Sequence, residues 1–223
     1  MKKEEYFVYI FRHGQTDFNK KHIFTGWKDS KLTALGKKQA QLTARKLQGK
    51  KIEIAVQTRL SRSQDTLKEV LKFHPECKKV ITDNRIIERN YGKLNGTAHK
   101  EFIRKIGRKE YDLLKEGDAI ENLSVENRKK VEKILGEEEF KIIHRGYDVR
   151  PLQGESFADV EKRVGSFIKY LEKLIKKDKK NIAISAHGNS IRLFRKILEK
   201  KSKEEAVQWF IPFDKVFAYS FYY

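Results

Sequence analysis

Residues 6–11 (YFVYIF) form the first apolar run of the chain, built of β-formers with no period of 3.6, and predict a buried strand. Leu32-Thr33 then opens a helix, with Thr33 as candidate N-cap and Gly36, Ala40, Ala44 and Leu47 on one face. Residues 52–56 (IEIAV) predict a second strand, and Leu60, Leu67, Val70 and Leu71 mark the helix after it. A short third strand is expected over 79–82. The strongest helical pattern covers about 156–176, where Phe157, Val160, Val164, Phe167, Leu171 and Leu174 recur at spacings of three and four, one stripe facing a core. Residues 182–186 (IAISA) predict a fourth strand, followed from Asn189 by a helix bearing Ile191, Phe194 and Ile197. A last strand is expected over 216–223.

Strands alternating with helices imply a three-layer α/β/α fold around a mostly parallel sheet. Residues 97–150 break the rhythm: they are charged, helical in character over 102–114 and 125–140, and hold no convincing strand. They are read as an insertion or lid near the active site, so that 1–223 is expected to be one domain.

Composition narrows the partners. Lys and Arg number 50 against 31 Asp and Glu, a formal charge of +19, which favours phosphate-bearing partners: nucleic acid, an anionic membrane surface or small phosphorylated substrates. The lysines are scattered as pairs such as Lys37-Lys38 and Lys176-Lys177, at expected helix ends and turns, so most are read as solvated surface and no specific nucleic acid is expected. One cysteine, Cys77, excludes an internal disulfide and fits a reducing compartment. The apolar stretch near the N-terminus is too short for a signal-peptide core, and nowhere do eighteen apolar residues run together. The expectation is a soluble cytoplasmic protein with no membrane partner.

The chemistry lies at the strand ends, where ligands of open α/β sheets bind. The first strand runs into Arg12-His13-Gly14 and the fourth into His187-Gly188-Asn189-Ser190. Two imidazoles at matched positions, each followed by a glycine that permits close approach of a ligand, point to catalysis more than either would alone. Arg62 at the start of the helix after the second strand, with that helix's N-terminal amides, makes an anion site. Glu88 supplies a carboxylate at the same rim. Phosphoryl transfer needs a nucleophile, positive charge around three oxygens and a proton donor for the leaving oxygen. The assignment is His13 as nucleophile, Arg12, Arg62 and His187 around the phosphoryl group, and Glu88 as general acid and base. No metal is needed for this set.

These segments resemble the histidine phosphatase superfamily and, within it, the 2,3-bisphosphoglycerate-dependent phosphoglycerate mutases. Residues 12–19 (RHGQTDFN) are similar to the RHGES-x-WN signature, and Phe24-Thr25-Gly26-Trp27 with Asp29, Leu32 and Gly36 to the stretch that follows it. Ser61-Arg62 with Thr66, Glu88-Arg89-Asn90-Tyr91-Gly92, Gly154-Glu155-Ser156 and residues 187–192 (HGNSIR) match further family motifs. The resemblance implies phosphohistidine at His13, proton donation by Glu88 and transition-state stabilisation by His187. It also implies a phosphoglycerate pocket lined by Asn19, Thr25, Gly26, Tyr91 and Asn189, with Gly188, Arg89, Arg145 and Lys100 as further contacts. The family lysine falls at either His99 or Lys100. The tandem arginines of the mutases are here His144-Arg145, leaving His144 or Arg150 as compensation. The implied activity is interconversion of 3- and 2-phosphoglycerate, a small phosphorylated metabolite, with 2,3-bisphosphoglycerate as primer. The alternative is a phosphomonoesterase on the same scaffold, and the remote alternative a basic nucleic-acid-binding protein. Oligomeric state is not legible.

Overall fold

The computed structural model describes residues 4–117, 119–120 and 123–223. Its strands are β1 (Glu5–Arg12), β2 (Ile54–Gln57), β3 (Lys79–Thr82), β4 (Ile182–Ala186) and β5 (Val216–Tyr222), in one sheet of order β3-β2-β4-β1-β5. The first four are parallel, and β5 pairs antiparallel with β1. The helices are α1 (Asp17–Lys20), α2 (Ala34–Leu47), α3 (Ser61–Leu71), α4 (His99–Glu116), α5 (Val125–Arg145), α6 (Phe157–Asp178), α7 (Gly188–Leu198) and α8 (Lys203–Gln208).

The alternation of side chains along each strand divides the core into two layers. Val8, Ile10, Ile54, Val56, Ile182 and Ile184 face one side, where they meet the α6 stripe and Leu193 and Phe194 of α7. Tyr9, Phe11, Ala55 and Ala183 face the other, against Ala44 and Leu47 of α2 and Leu67 and Val70 of α3. Burial on both faces is why these strands read as continuous apolar runs.

Several elements differ from their sequence patterns. β2 starts two residues later than expected, and β5 is the antiparallel member of the sheet. The two helices of the 97–150 segment are longer than expected: α4 gains polar residues at both ends, and α5 continues through residues 141–145 (KIIHR). That extension makes His99 the first residue of α4 and sets His144 in the last turn of α5. α1 and α8 lack a readable stripe. Capping boxes hold them instead, Thr16 with Asn19 and Ser202 with Glu205.

α4 and α5 pack closely against each other at two glycines. A Cβ on Gly107 would stand 1.9 Å from Glu132 O, and one on Gly136 would stand 2.1 Å from Ile103 O. No helix among the described residues is long and apolar enough to cross a membrane.

Candidate active site

The parallel register of β1 and β4 pairs Arg12 with Ala186, so both strands end level and release His13 and His187 side by side. The His13 amide donates to Ala186 O at 3.1 Å, and the two imidazole centroids are 5.1 Å apart. His13 is 2% exposed and its Nδ1 lies 2.7 Å from Gly14 O. A carbonyl only accepts, so the proton sits on Nδ1 and the Nε2 lone pair is left for chemistry. Burial, then Arg62 and Arg12, hold the His13 pKa well below 6.5. The ring is therefore neutral and nucleophilic at pH 7.

Close approach of the loops fixes that geometry. A Cβ on Gly14 would lie 2.1 Å from Gly36 O, and one on Gly36 would lie 2.0 Å from Gln15 O. Gly14 N–H donates to Thr66 Oγ1 at 3.1 Å, which ties the loop after β1 to α3.

A cavity of about 400 Å³ opens over these residues. Arg12, His13, Arg62 and Glu88 line one part of it. Arg12 donates to Ile211 O at 2.9 Å and lies 3.9 Å from the centre of the Phe213 ring. Arg62 is fully buried and donates to Lys28 O at 2.9 Å and Gly26 O at 2.8 Å. Burial lowers both guanidinium pKa values to about 10, which leaves them charged at neutral pH. Glu88 Oε1 accepts from Arg89 N at 2.7 Å and Asn189 N at 3.2 Å.

His187 is fully buried beside His13 and is not among the lining residues. Its Nε2 is 2.9 Å from Thr58 Oγ1. An Oγ1–H donated to Nε2 places the ring proton on Nδ1, which has no partner among the described residues. Burial, with the Arg62 charge next, keeps this ring neutral too.

The Histidine phosphatase superfamily (branch 1) model matches residues 8–133 and 120–215. The chain belongs to the histidine phosphatase superfamily. It is 35% identical over 201 residues to 2,3-bisphosphoglycerate-dependent phosphoglycerate mutase of Rhizobium rhizogenes, covering 88% of this chain and 81% of that protein. In fold it is similar to Bacillus stearothermophilus YhfR, with a TM-score of 0.72 at 19% identity over 95% of this chain and 89% of the other. It is also similar to the alpha-ribazole phosphatase from Shigella flexneri, with a TM-score of 0.69 at 22% identity over 95% and 89% of the two chains. The chain is thus an enzyme of this superfamily, with mutases among its relatives in sequence and phosphatases among its relatives in fold.

Around the histidine pair the remaining residues fall into three groups. Asn19, Thr25, Gly26, Tyr91, Arg145, Gly188 and Asn189 line the cavity together with the catalytic candidates. Gly26 has a φ of +48°, and a Cβ there would stand 1.9 Å from Asn95 Oδ1, so the turn presenting Thr25 accepts only glycine without displacement. Asn189 Nδ2 donates to Tyr91 Oη at 3.3 Å.

Three expectations are placed elsewhere. Lys100 is exposed and not among the lining residues, whereas His99 lines the cavity; the helical turn that begins α4 points neighbouring residues apart. Arg89 does not line it either. It is fully buried, and its guanidinium is spent on the carbonyls of Glu155, Ile143 and Val149 at 2.6, 3.1 and 2.9 Å. At the α3 N-terminus the anion is the chain's own: Asp29 accepts from Ser61 N at 3.1 Å and from Ser61 Oγ at 2.9 Å. Of the two possible compensating groups, His144 lines the cavity, and Arg150 pairs with Asp159 at 2.6 Å instead.

The third group is lining residues that sequence reasoning did not single out. Arg192 is 8% exposed, donates to Trp209 O at 2.7 Å and bonds Asn189 Oδ1. Its signal was present, because it lies three residues after Asn189 on the same helical face. Phe210 and Phe213 come from the loop after α8, which carries no periodic signal. His22 and Phe24 complete a wall with His99 and His144. The His99 ring lies 6.3 Å from His22, 4.5 Å from Phe24 and 5.8 Å from His144. Burial drops His99 to about 4 and His144 to about 3, so both are uncharged at neutral pH.

Proposed function

We propose that the protein is a phosphoglycerate mutase working through phosphohistidine at His13, interconverting 3- and 2-phosphoglycerate with 2,3-bisphosphoglycerate as primer. The observation that carries this reading is the distribution of charge. Arg12, Arg62, Arg145 and Arg192 line one cavity in which Glu88 is the carboxylate among the described residues. Four permanent cations suit a small ligand with two anionic ends better than a simple monoester. Kinship with mutases over most of the chain supports the same choice.

The mechanism follows from the groups present. His13 Nε2 attacks phosphorus as the bond to the leaving oxygen breaks, and Glu88 gives that oxygen a proton. Arg12, Arg62 and His187 Nδ1–H stabilise charge on the transferring group. Arg12 Nε, Arg62 Nε and His187 Nδ1 are buried donors without a protein partner, an arrangement that fits a bound phosphoryl group. Transfer to the other hydroxyl of the glycerate reverses the proton movements at Glu88. The bisphosphate supplies the first phosphoryl group, and the cationic cavity retains it between the half-reactions. The α4–α5 hairpin acts as the lid of a single-domain enzyme by supplying His99, His144 and Arg145 to the cavity.

A phosphomonoesterase is the second reading. His99 and His144 are neutral where a second phosphate would need charge, which favours loss of the bisphosphate and exposure of phosphohistidine to water. One assay separates the two. Conversion of 3-phosphoglycerate is followed with and without catalytic bisphosphate while released phosphate is counted. Primer-dependent conversion with little phosphate release supports the mutase; primer-independent phosphate release establishes the esterase. A His13→Ala variant that still incorporated labelled phosphate would refute both. His99→Lys should lower the concentration of primer needed for half-maximal rate and reduce phosphate release, because a charge replaces a neutral ring.

A further inference from the structure

Glu88 sits on a peptide held by side chains from two distant parts of the sequence. Arg163 of α6 donates Nη1 to Arg85 O and to Ile87 O, both at 2.8 Å, and Nη2 to Glu88 O at 3.0 Å. Trp27 Nε1 donates to the same Glu88 O at 2.7 Å. Glu155 fixes the Arg163 guanidinium from behind through bonds of 2.9 and 3.0 Å. Glu155 also accepts from Asn90 N at 2.9 Å and, through its carbonyl, from Arg89 Nε at 2.6 Å. The other Arg89 bonds reach Ile143 and Val149, on either side of His144 and Arg145.

We propose that Arg163 and Arg89, joined through Glu155, are positioning residues that register the Glu88 carboxyl against His13 and hold the Arg145 end of the cavity in the same frame. The inference rests on the reading of Glu88 as proton donor. The physical requirement is tight, because a proton must be delivered at hydrogen-bond distance as the P–O bond breaks. A planar guanidinium reaches three carbonyls of one turn in a fixed plane; the point charge of a lysine does not. The donors of both guanidiniums are taken up by protein carbonyls and, for Arg163, by the Glu155 carboxylate, so neither is free to contact substrate. The three charged groups therefore act on the reaction through Glu88 and Arg145.

A leaving-group comparison tests this. Phosphoryl transfer to His13 is measured in the first turnover from 2,3-bisphosphoglycerate, whose leaving alkoxide needs a proton, and from p-nitrophenyl phosphate, whose phenolate does not. Arg163→Lys should slow the first by about 30- to 100-fold and the second by less than about threefold. Trp27→Phe removes one bond to Glu88 O at an exposed site. It should show the same asymmetry at smaller size even if Arg163→Lys is too unstable to assay. Equal slowing with both donors, or no slowing, would overturn the positioning role. Glu88→Gln is the control: its own loss of leaving-group dependence would overturn the proton-donor reading instead, and the positioning role with it.

Discussion

Arg62→Met removes one buried guanidinium while roughly conserving volume, and its two effects separate cleanly. The side chain is fully buried, holds Lys28 O and Gly26 O, and stands 3.9 Å from an Asp29 oxygen already engaged with Ser61. Leaving two carbonyls without a donor costs about 1–3 kcal/mol each. Removing a buried charge returns a desolvation cost of several kcal/mol. The stability change should therefore be small, within about 3 kcal/mol of zero. Catalysis has no such offset. Losing one preorganised donor to the transferring phosphoryl group costs about 2.7–4 kcal/mol, or about 10²–10³ in rate. The pH profile supplies a second signature. Arg62 is the larger of the two charges that depress the His13 pKa, so its removal raises that value. His13 must be neutral to attack, so the acid limb of kcat/KM should move to higher pH. Stopped-flow phosphorylation of His13 across pH, with thermal unfolding as the control for folding, reads both. A folded variant with less than tenfold loss, or with an unmoved acid limb, would refute the placement of Arg62 at the reaction centre.

Two further expectations concern the whole molecule. His13 and His187 are held well below 6.5 by burial, so they stay neutral in the fold but become protonated in the unfolded chain as pH falls. Stability is thus fully present above about pH 6.5 and declines below it, by about 1.4 kcal/mol per histidine one unit lower. The unfolding midpoint should fall by several degrees between pH 7.5 and 5.5, with His99 and His144 adding in the same direction, and a flat midpoint would contradict their neutrality. Gly136→Ala places a methyl 2.1 Å from Ile103 O and should pry α4 from α5, costing about 1–3 kcal/mol. KM for phosphoglycerate should rise, while first-turnover transfer from p-nitrophenyl phosphate changes less than about twofold. Equal loss in both would show that the hairpin supports the whole site and not its far wall.

The histidine pair was legible because both members follow apolar runs of nearly the same kind, and strand ends in an α/β sheet are where chemistry gathers. The α6 stripe was legible because six apolar residues at helical spacing leave one packing solution; all six are buried. Arg89 shows the opposite case. An arginine next to the acid in a phosphate-handling motif reads as an anion contact, yet three carbonyls from distant segments surround it. His99 and Lys100 could not be told apart by spacing. A helix turns each residue by about 100° from the last, so which of them faces the cavity depends on where α4 begins and how it packs.

The chain's apolar periodicities by themselves determined the layered fold and the pair of imidazoles at the strand ends, because these follow from local spacing and from strands buried on both faces; the superfamily was legible through the resemblance of its motifs. Tertiary structure decided which cations meet the cavity. Among the lysines and arginines of the described residues, Arg12, Arg62, Arg145 and Arg192 line it. Charge counts cannot make that selection, since burial of a guanidinium depends on carbonyls brought from elsewhere in the chain to receive its hydrogen bonds. Such long-range carbonyls turned Arg89 from an apparent substrate contact into part of the frame behind Glu88, and they place Arg163, which carries no signal in the sequence, beside it.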